Sequence, residues 1–333
     1  MRRASAHFGS NGGDRLLEIT DDPGRLDGGG FWAVAAGFEG RFVAARFERT
    51  EAPHSPAAAG WPGVEAGSWS SSLTEPAYVE AVESTRRAIA AGDVYQANIC
   101  RLLSAPVDVP DLRGLAEVLR RQHSAPFQGH LCLPDVGVHI ATASPELFLR
   151  RRGRQVWSAP IKGTGRVAAD LGDKDAAENV MIVDLVRNDL GRVCETGSVE
   201  VDSLLSVEEH PGLVHLVSTV TGLLRRDVGW AELLAATFPP GSVTGAPKSS
   251  ALQLIADLEP VPRGWYCGAI GWVDADREEA ELAVAIRTFS LNDGVLSFGT
   301  GAGITWASDA NAEWAETELK AERLIGLASR EHT

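Results

Sequence analysis

Lysine is scarce in this chain. Of the 31 cationic residues among 333, only four are lysine: Lys162, Lys174, Lys248 and Lys320. Arginine serves wherever a fixed positive charge is enough. Lysine can also lose its proton and become a nucleophile or a base. Each remaining lysine therefore marks a position to question. Cysteine is scarce too. Cys100, Cys132, Cys194 and Cys267 stand far apart and form no C-x-x-C. A chain of this length does not need disulfide staples, so four reduced, mostly buried thiols in a cytoplasmic protein are expected. Basic charge is in deficit, with a formal net charge of −14. That argues against a nucleic-acid partner, which requires a basic patch. It leaves room for a small anionic substrate, because local arginines, backbone N–H groups or a metal can reverse the field inside a cleft. No run reaches the roughly 18 apolar residues of a membrane helix. The opening MRRASAHFGSNGGDR has arginines but no apolar segment behind them, so neither a signal peptide nor a membrane partner is expected.

Hydrophobic residues make up 44% of the chain and charged residues 23%, enough for a sizeable core in an ordinary globular protein. Residues 1–30 are rich in Gly and Asp and read as loose. FWAVAAGFEGRFVAARFER reads as two strands about Glu39-Gly40. Residues 51–72 read as a loop, and a helix follows with Thr74 as N-cap and Gly92 at its stop. DVYQANICRLLSAPV is strand-like, 112–123 helical, and 130–158 a meander of short strands. A helix is expected over 173–190, an extended run at HLVSTVTGLLR, and short helices at 230–238 and 246–258. Strands return at 266–274, 280–291 and 294–299, and a last helix spans 309–329. Strands group with strands more than they alternate with helices. The expected class is α+β, a sandwich with large antiparallel sheets. The expected division is a short N-terminal segment, 1–73, and a catalytic domain, 74–329.

Two glycine motifs invite misreading. GSVTGAPKS, 241–249, has the wrong spacing for a P-loop, with Pro247 directly before the lysine. GTGAGI, 299–304, lacks the G-x-G-x-x-G spacing and the βαβ unit of a dinucleotide site. It is either a plain glycine turn or a place where backbone N–H groups approach an anion.

Two helices carry carboxylates at unusual places. In KDAAENVMIVDLVRNDLGRV, Asp175 and Glu178 run into the apolar stripe of Met181, Ile182, Leu185 and Leu190. A charge merging into a buried face is costly unless it is paired. In NAEWAETELKAERLIG, Glu313 and Glu316 are three apart and Lys320 lies four beyond Glu316. Either these are solvated helices laced with charge pairs, or two helices bring carboxylates to one point. An all-oxygen ligand set of that kind suits Mg²⁺.

Taken in order, SPELFLR, PIKGTGR, AENVMIVDLVRNDLGRV, HLVSTVTG, PPGSVTGAPK, YCGAIGW, AIRT, GTGAGI and EWAETELKA resemble the chorismate-utilising enzymes, over roughly residues 74–329. That family includes component I of anthranilate synthase and of aminodeoxychorismate synthase, and the isochorismate and salicylate synthases. The resemblance implies a two-layer α/β sandwich around one deep central cleft. It implies Mg²⁺ held by Glu178 and Glu316, with Asp175 and Glu313 beside them, gripping the ring carboxylate of chorismate. Tyr266, Arg287 and the backbone of Gly301, Ala302 and Gly303 would hold the enolpyruvyl carboxylate. Lys320 would lie near the ring carboxylate, and Ser242 and His215 would line the ring. A histidine alone on a strand reads as a satisfied core residue; only the surrounding match gives His215 a role.

Two positions separate the branches of that family. Members that add water carry a base lysine in the strand that reads VYQANICR here. This chain has Gln96, which cannot deprotonate water, so an ammonia-using branch is implied. Lys162 stands where anthranilate synthases typically have alanine and aminodeoxychorismate synthases lysine. In the mechanism proposed for that branch, the lysine amine attacks C2 as the C4 hydroxyl leaves, and ammonia then enters at C4. The amine must be neutral to attack. Glu146 of SPEL matches the acid that protonates the leaving hydroxyl, a role open to a carboxyl kept protonated in a dry cleft. Family chains usually carry a longer front, which in several members holds tryptophan; tryptophan binding is not expected here. No amidotransferase segment is seen, so ammonia is expected from solution or from a separate glutamine amidotransferase subunit.

Overall fold

The computed structural model describes residues 4–50, 60–165, 167–210 and 213–330. Their strands are β1 (Ser5–Phe8), β2 (Asn11–Thr20), β3 (Phe31–Ala36), β4 (Phe42–Thr50), β5 (Ser70–Ser71), β6 (Gln96–Pro106), β7 (Phe127–Leu133), β8 (Val138–Ser144) and β9 (Leu147–Arg152). They continue as β10 (Gln155–Ala159), β11 (Ile161–Gly165), β12 (Glu200–His210), β13 (Leu213–Leu223), β14 (Gly245–Ala246), β15 (Ala269–Asp274), β16 (Glu279–Val284), β17 (Thr288–Asn292) and β18 (Val295–Ile304). The helices are α1 (Glu75–Ala91), α2 (Arg113–Gln122), α3 (Asp173–Gly191), α4 (Trp230–Thr237), α5 (Lys248–Leu258) and α6 (Ala310–Ala328).

Hydrogen bonding joins all the strands in one antiparallel ribbon. It starts at β12 and β13, passes through β10 and β9 to β16, β15, β3, β4, β2 and β1, and returns through β7, β8, β17 and β18 to β6. Strand β11 extends the first end beside β13, and β14 and β5 extend the last end beside β6. The ribbon curls until its two ends face one another, and the functional cleft lies between them. The α+β class and the antiparallel sandwich around a cleft are therefore as expected, with the two sheets as halves of one ladder.

Local sequence explains the elements that frame the cleft. Helix α1 starts at Thr74, whose hydroxyl accepts from the Ala77 N–H, and stops at Gly92 with φ 85°. Helix α3 turns Ile182, Val183, Val186 and Leu190 into the main core. Asn179 locks it to the sheet by donating to the Leu216 carbonyl of β13 at 3.0 Å. Helix α6 sets Leu324 and Ala328 into a second core with α2. Thr317 on α6 accepts from Arg101 of β6 at 3.0 Å.

Three readings of the sequence need correction, and one strand went unread. Of residues 1–30, read as loose, 1–3 lie outside the described residues and 4–30 are not loose: β1 lies between β2 and β7, and Ala6 and Phe8 are buried. Their glycines serve close packing. A Cβ on Gly12 would stand 2.4 Å from His7 Nδ1, and one on Gly13 2.4 Å from Phe47 Cβ. The meander over 130–158 is two hairpins, because β8 pairs with β17 and β9 with β16. The chain crosses between the ribbon's halves at Pro145-Glu146. The run 280–291 is likewise two strands, broken at Arg287, whose φ is +50°. Strand β12 carried no signal, since much of its polar sequence is exposed. Of the loop expected at 51–72, residues 51–59 lie outside the described residues.

Candidate active site

The cleft has an empty volume of about 1000 Å³, open mouth included. From the β13 end of the ribbon come Lys162 on β11 and His215 on β13. From the β6 end come Gly299, Gly301 and Gly303 on β18. Helix α3 supplies Lys174, Asp175 and Glu178; helix α6 supplies Glu313, Glu316 and Lys320. The crossover supplies Glu146, and Asn98, Ser242, Tyr266 and Arg287 are also in the lining. Three of the four lysines thus line one cleft. The fourth, Lys248, makes a structural tie: its ammonium lies 2.6 Å from Asp189 Oδ2 and 3.2 Å from the Thr237 carbonyl.

The glycines of β18 form a trough. A Cβ on Gly303 would stand 2.6 Å from Gln96 Nε2, 3.3 Å from Lys162 Nζ and 3.4 Å from Glu178 Oε2. A Cβ on Gly299 would fall 2.1 Å from the Tyr266 ring. Side chains here would fill the space, so the backbone itself forms the wall. Two expected residues, Ala302 and Gln96, are not among those that line the cleft. Ala302 points into the core, as alternation along a strand requires. Gln96 is buried against Gly303, and its Oε1 has no hydrogen-bond partner.

Opposed charges divide the cleft. At the cationic side, Lys162 Nζ donates to the Ser242 carbonyl at 2.9 Å. Arg287 is buried enough to pull its pKa down to about 10, with Glu146 acting the other way. Its Nη2 lies 3.4 Å from His215 Nε2, and His215 Nδ1 lies 3.4 Å from the Gly163 carbonyl. Among the described residues no carboxylate forms an ion pair with Arg287. A buried guanidinium in that state is a ready receptor for a substrate carboxylate.

Glu146 lies beside this group, 3% exposed. Burial raises its pKa to about 7, against hydrogen bonds from Ser242 and the Ile161 N–H and the charge of Lys162. It can hold a proton near neutrality and deliver it to a leaving group.

At the acidic side, burial raises the pKa of Glu178, with Lys162 and Lys174 opposing. Lys320 lowers that of Glu316 through an ion pair at 2.6 Å, and also donates to the Gly301 carbonyl at 3.0 Å. Lys174 lies 2.8 Å from Glu313 Oε1 and 3.8 Å from Glu178 Oε1. Among the described residues no three His, Cys, Asp or Glu side chains are gathered as a ready metal cage. The donors are all oxygen, however, and among the described residues the one ion-pair contact of the buried Glu178 carboxylate is the Lys174 ammonium at 3.8 Å. That fits Mg²⁺, which takes one or two carboxylates and completes its shell with water and substrate oxygens. Lys174 had no role from sequence; lysine scarcity was the signal that marked it.

Known proteins share this plan. The chain is 40% identical over 274 residues to anthranilate synthase component 1 of Streptomyces coelicolor, covering 79% of this chain and 53% of that protein. It is 37% identical over 269 residues to aminodeoxychorismate synthase component 1 of Salmonella typhimurium, covering 77% and 58%. It spans about half the length of these curated relatives. The menaquinone-specific isochorismate synthase of Escherichia coli shares the fold at a TM-score of 0.80 and 18% identity, over 98% of this chain and 88% of that one. The family model for chorismate binding enzymes matches residues 43–326, from β4 to α6, a span that holds the whole cleft. With its cleft walled by the matched segments, the chain belongs to the chorismate binding enzyme family.

Proposed function

We propose that this protein aminates chorismate at C4, giving 4-amino-4-deoxychorismate on the way to p-aminobenzoate, with Mg²⁺ as cofactor. The observation that carries the reading is Lys162, a cleft lysine beside the glycine trough and within 2.9 Å of the Ser242 carbonyl. Arg287 and the β18 backbone would receive the enolpyruvyl carboxylate, with the Tyr266 ring against Gly299 closing that end. The ring carboxylate would face the acidic end, where Glu178 and Glu316 would hold Mg²⁺, beside Asp175 and Glu313. When bound, the metal would offset the charge of that carboxylate and fix the ring. His215 and Ser242 would line the ring.

The chemistry belongs to two side chains. The Lys162 amine forms a bond to C2, the ring double bond shifts, and the C4 hydroxyl leaves as water with the proton of Glu146. Ammonia then forms the C4–N bond, the double bond shifts back, and the Lys162 amine leaves C2. Buried Gln96 offers no base for water. Ammonia would come from a separate glutamine amidotransferase subunit, in keeping with relatives named component 1. Anthranilate formation is the second reading, favoured by the 40% identity to an anthranilate synthase component. Lys162 speaks against it.

The test is product identity. The purified chain, given chorismate, Mg²⁺ and ammonium salts, should yield 4-amino-4-deoxychorismate; glutamine should not replace ammonium. Lys162→Arg should lose about 10³-fold or more in rate, since guanidinium stays protonated. Lys162→Ala should lose C4 amination and yield some anthranilate-type product by direct attack of ammonia at C2. A Lys162→Arg protein with near wild-type output would rule out the nucleophile.

A further inference from the structure

The acidic end of the cleft already contains a cation. Lys174 sits in the first turn of α3, and its ammonium hydrogen-bonds Glu313 of α6 at 2.8 Å. It stands 3.8 Å from Glu178 on its own helix and 3.4 Å from Ser308 Oγ. Glu178 and Glu313 face it from two helices, with Asp175 and Glu316 lining the same end. No other cation lies within ion-pair distance of Glu178 or Glu313 among the described residues. An ammonium between two carboxylates satisfies the electrostatic demand that a divalent ion would otherwise meet.

We propose that Lys174 is the resident counter-ion of Glu178 and Glu313 at the metal site, as Lys320 is of Glu316, and that it occupies the space between them until a divalent cation displaces it. This rests on the Mg²⁺ reading above. Both cations cannot share the site, since like charges a few ångströms apart in a part-buried cleft repel strongly. Departure is open to the lysine, because its side chain is 40% exposed and can swing outward on a flexible stem. Two properties follow. The free protein stays ordered at α3 and α6 without metal. Metal affinity in the free protein is held down, so that the extra oxygen ligand of a bound substrate decides loading. Lys174 is a positioning residue, and it contacts no reacting atom.

The experiment measures metal binding without turnover. The full chain, stripped of metal by chelator, is titrated calorimetrically with Mg²⁺ in the absence of chorismate, as wild type, Lys174→Gln and Lys174→Arg. Melting temperatures are recorded with and without Mg²⁺. Lys174→Gln should bind Mg²⁺ at least about tenfold more tightly, and its melting temperature should rise more on adding metal. Lys174→Arg, still cationic, should not bind more tightly than wild type. Lys174→Met serves in place of the glutamine variant if that protein does not fold. Equal or weaker Mg²⁺ binding by the neutral variants overturns the counter-ion role and leaves the metal reading standing. Absence of Mg²⁺ binding in every protein, with and without chorismate, overturns both.

Discussion

Replacing Glu146 with glutamine should make the protein more stable and less active at once. The carboxyl is buried, and burial moves its pKa from 4.5 to about 7. Below 4.5 it is protonated in the folded and unfolded chains alike, and burial costs nothing electrostatic. Between 4.5 and 7 the unfolded chain ionises while the folded chain holds its proton, so stability falls as pH rises. Above 7 both are ionised, and the folded state carries the full penalty of about 3 kcal/mol. Glutamine has nearly the same shape, keeps one acceptor oxygen, and never ionises. The stability gap between Glu146→Gln and wild type should be small at pH 4.5 and about 3 kcal/mol at pH 8. For a chain of this size that is about 4 °C in melting temperature. Urea melts at the two pH values measure the gap. Activity should fall by about 10²- to 10⁴-fold, as for loss of a positioned acid. A gap that does not change with pH, or a variant less stable than wild type at pH 8, would refute the reasoning.

Glu178→Gln and Glu316→Gln should keep the fold and raise the Mg²⁺ requirement, at least by the 10-fold or so that loss of an outer-shell partner costs; activity titrated against free Mg²⁺ reads this, and an unchanged requirement refutes the assignment. Gly303→Ala should lower kcat/KM sharply, because its Cβ would press on Gln96 Nε2 at 2.6 Å and crowd Lys162; overpacking should cost about 1–3 kcal/mol. Wild-type kinetics in that variant would show that the trough is not where substrate lies.

Much of this site is legible in the sequence, because its chemistry is written in residues that are costly elsewhere. Carboxylates entering an apolar helix stripe pointed to Glu178, and a rare lysine pointed to Lys162. Helix α1 was readable from Thr74 and Gly92, whose signals are local. What stayed hidden depends on distant partners. Nothing near Ser5–Phe8 says that β1 will slot between β2 and β7, and its glycines look like looseness until Phe47 and His7 are seen against them. Strand β12 is polar because much of it is exposed, so alternation gave no cue. Ala302 was drawn in with its glycine neighbours, and only the pleat turns it into the core. Lys174 was marked by lysine scarcity but had no role, and only the approach of α6 gives it Glu313.

The long ladder between β6 and β18 pairs Ala97 with Ile304 and Pro106 with Val295. Contacts so remote in sequence form late and close slowly. During synthesis, Glu146, Lys162 and Glu178 leave the ribosome well before the strand that will cover them. The Lys162 amine therefore emerges on an open half-ribbon, exposed to solvent and to chaperones. The wall of the cleft arrives only with β18 and α6. A chain stalled before β18 would hold Glu146, Lys162 and Glu178 but lack both the glycine wall and the carboxylates of α6, so the cleft is assembled only once β18 and α6 have been made.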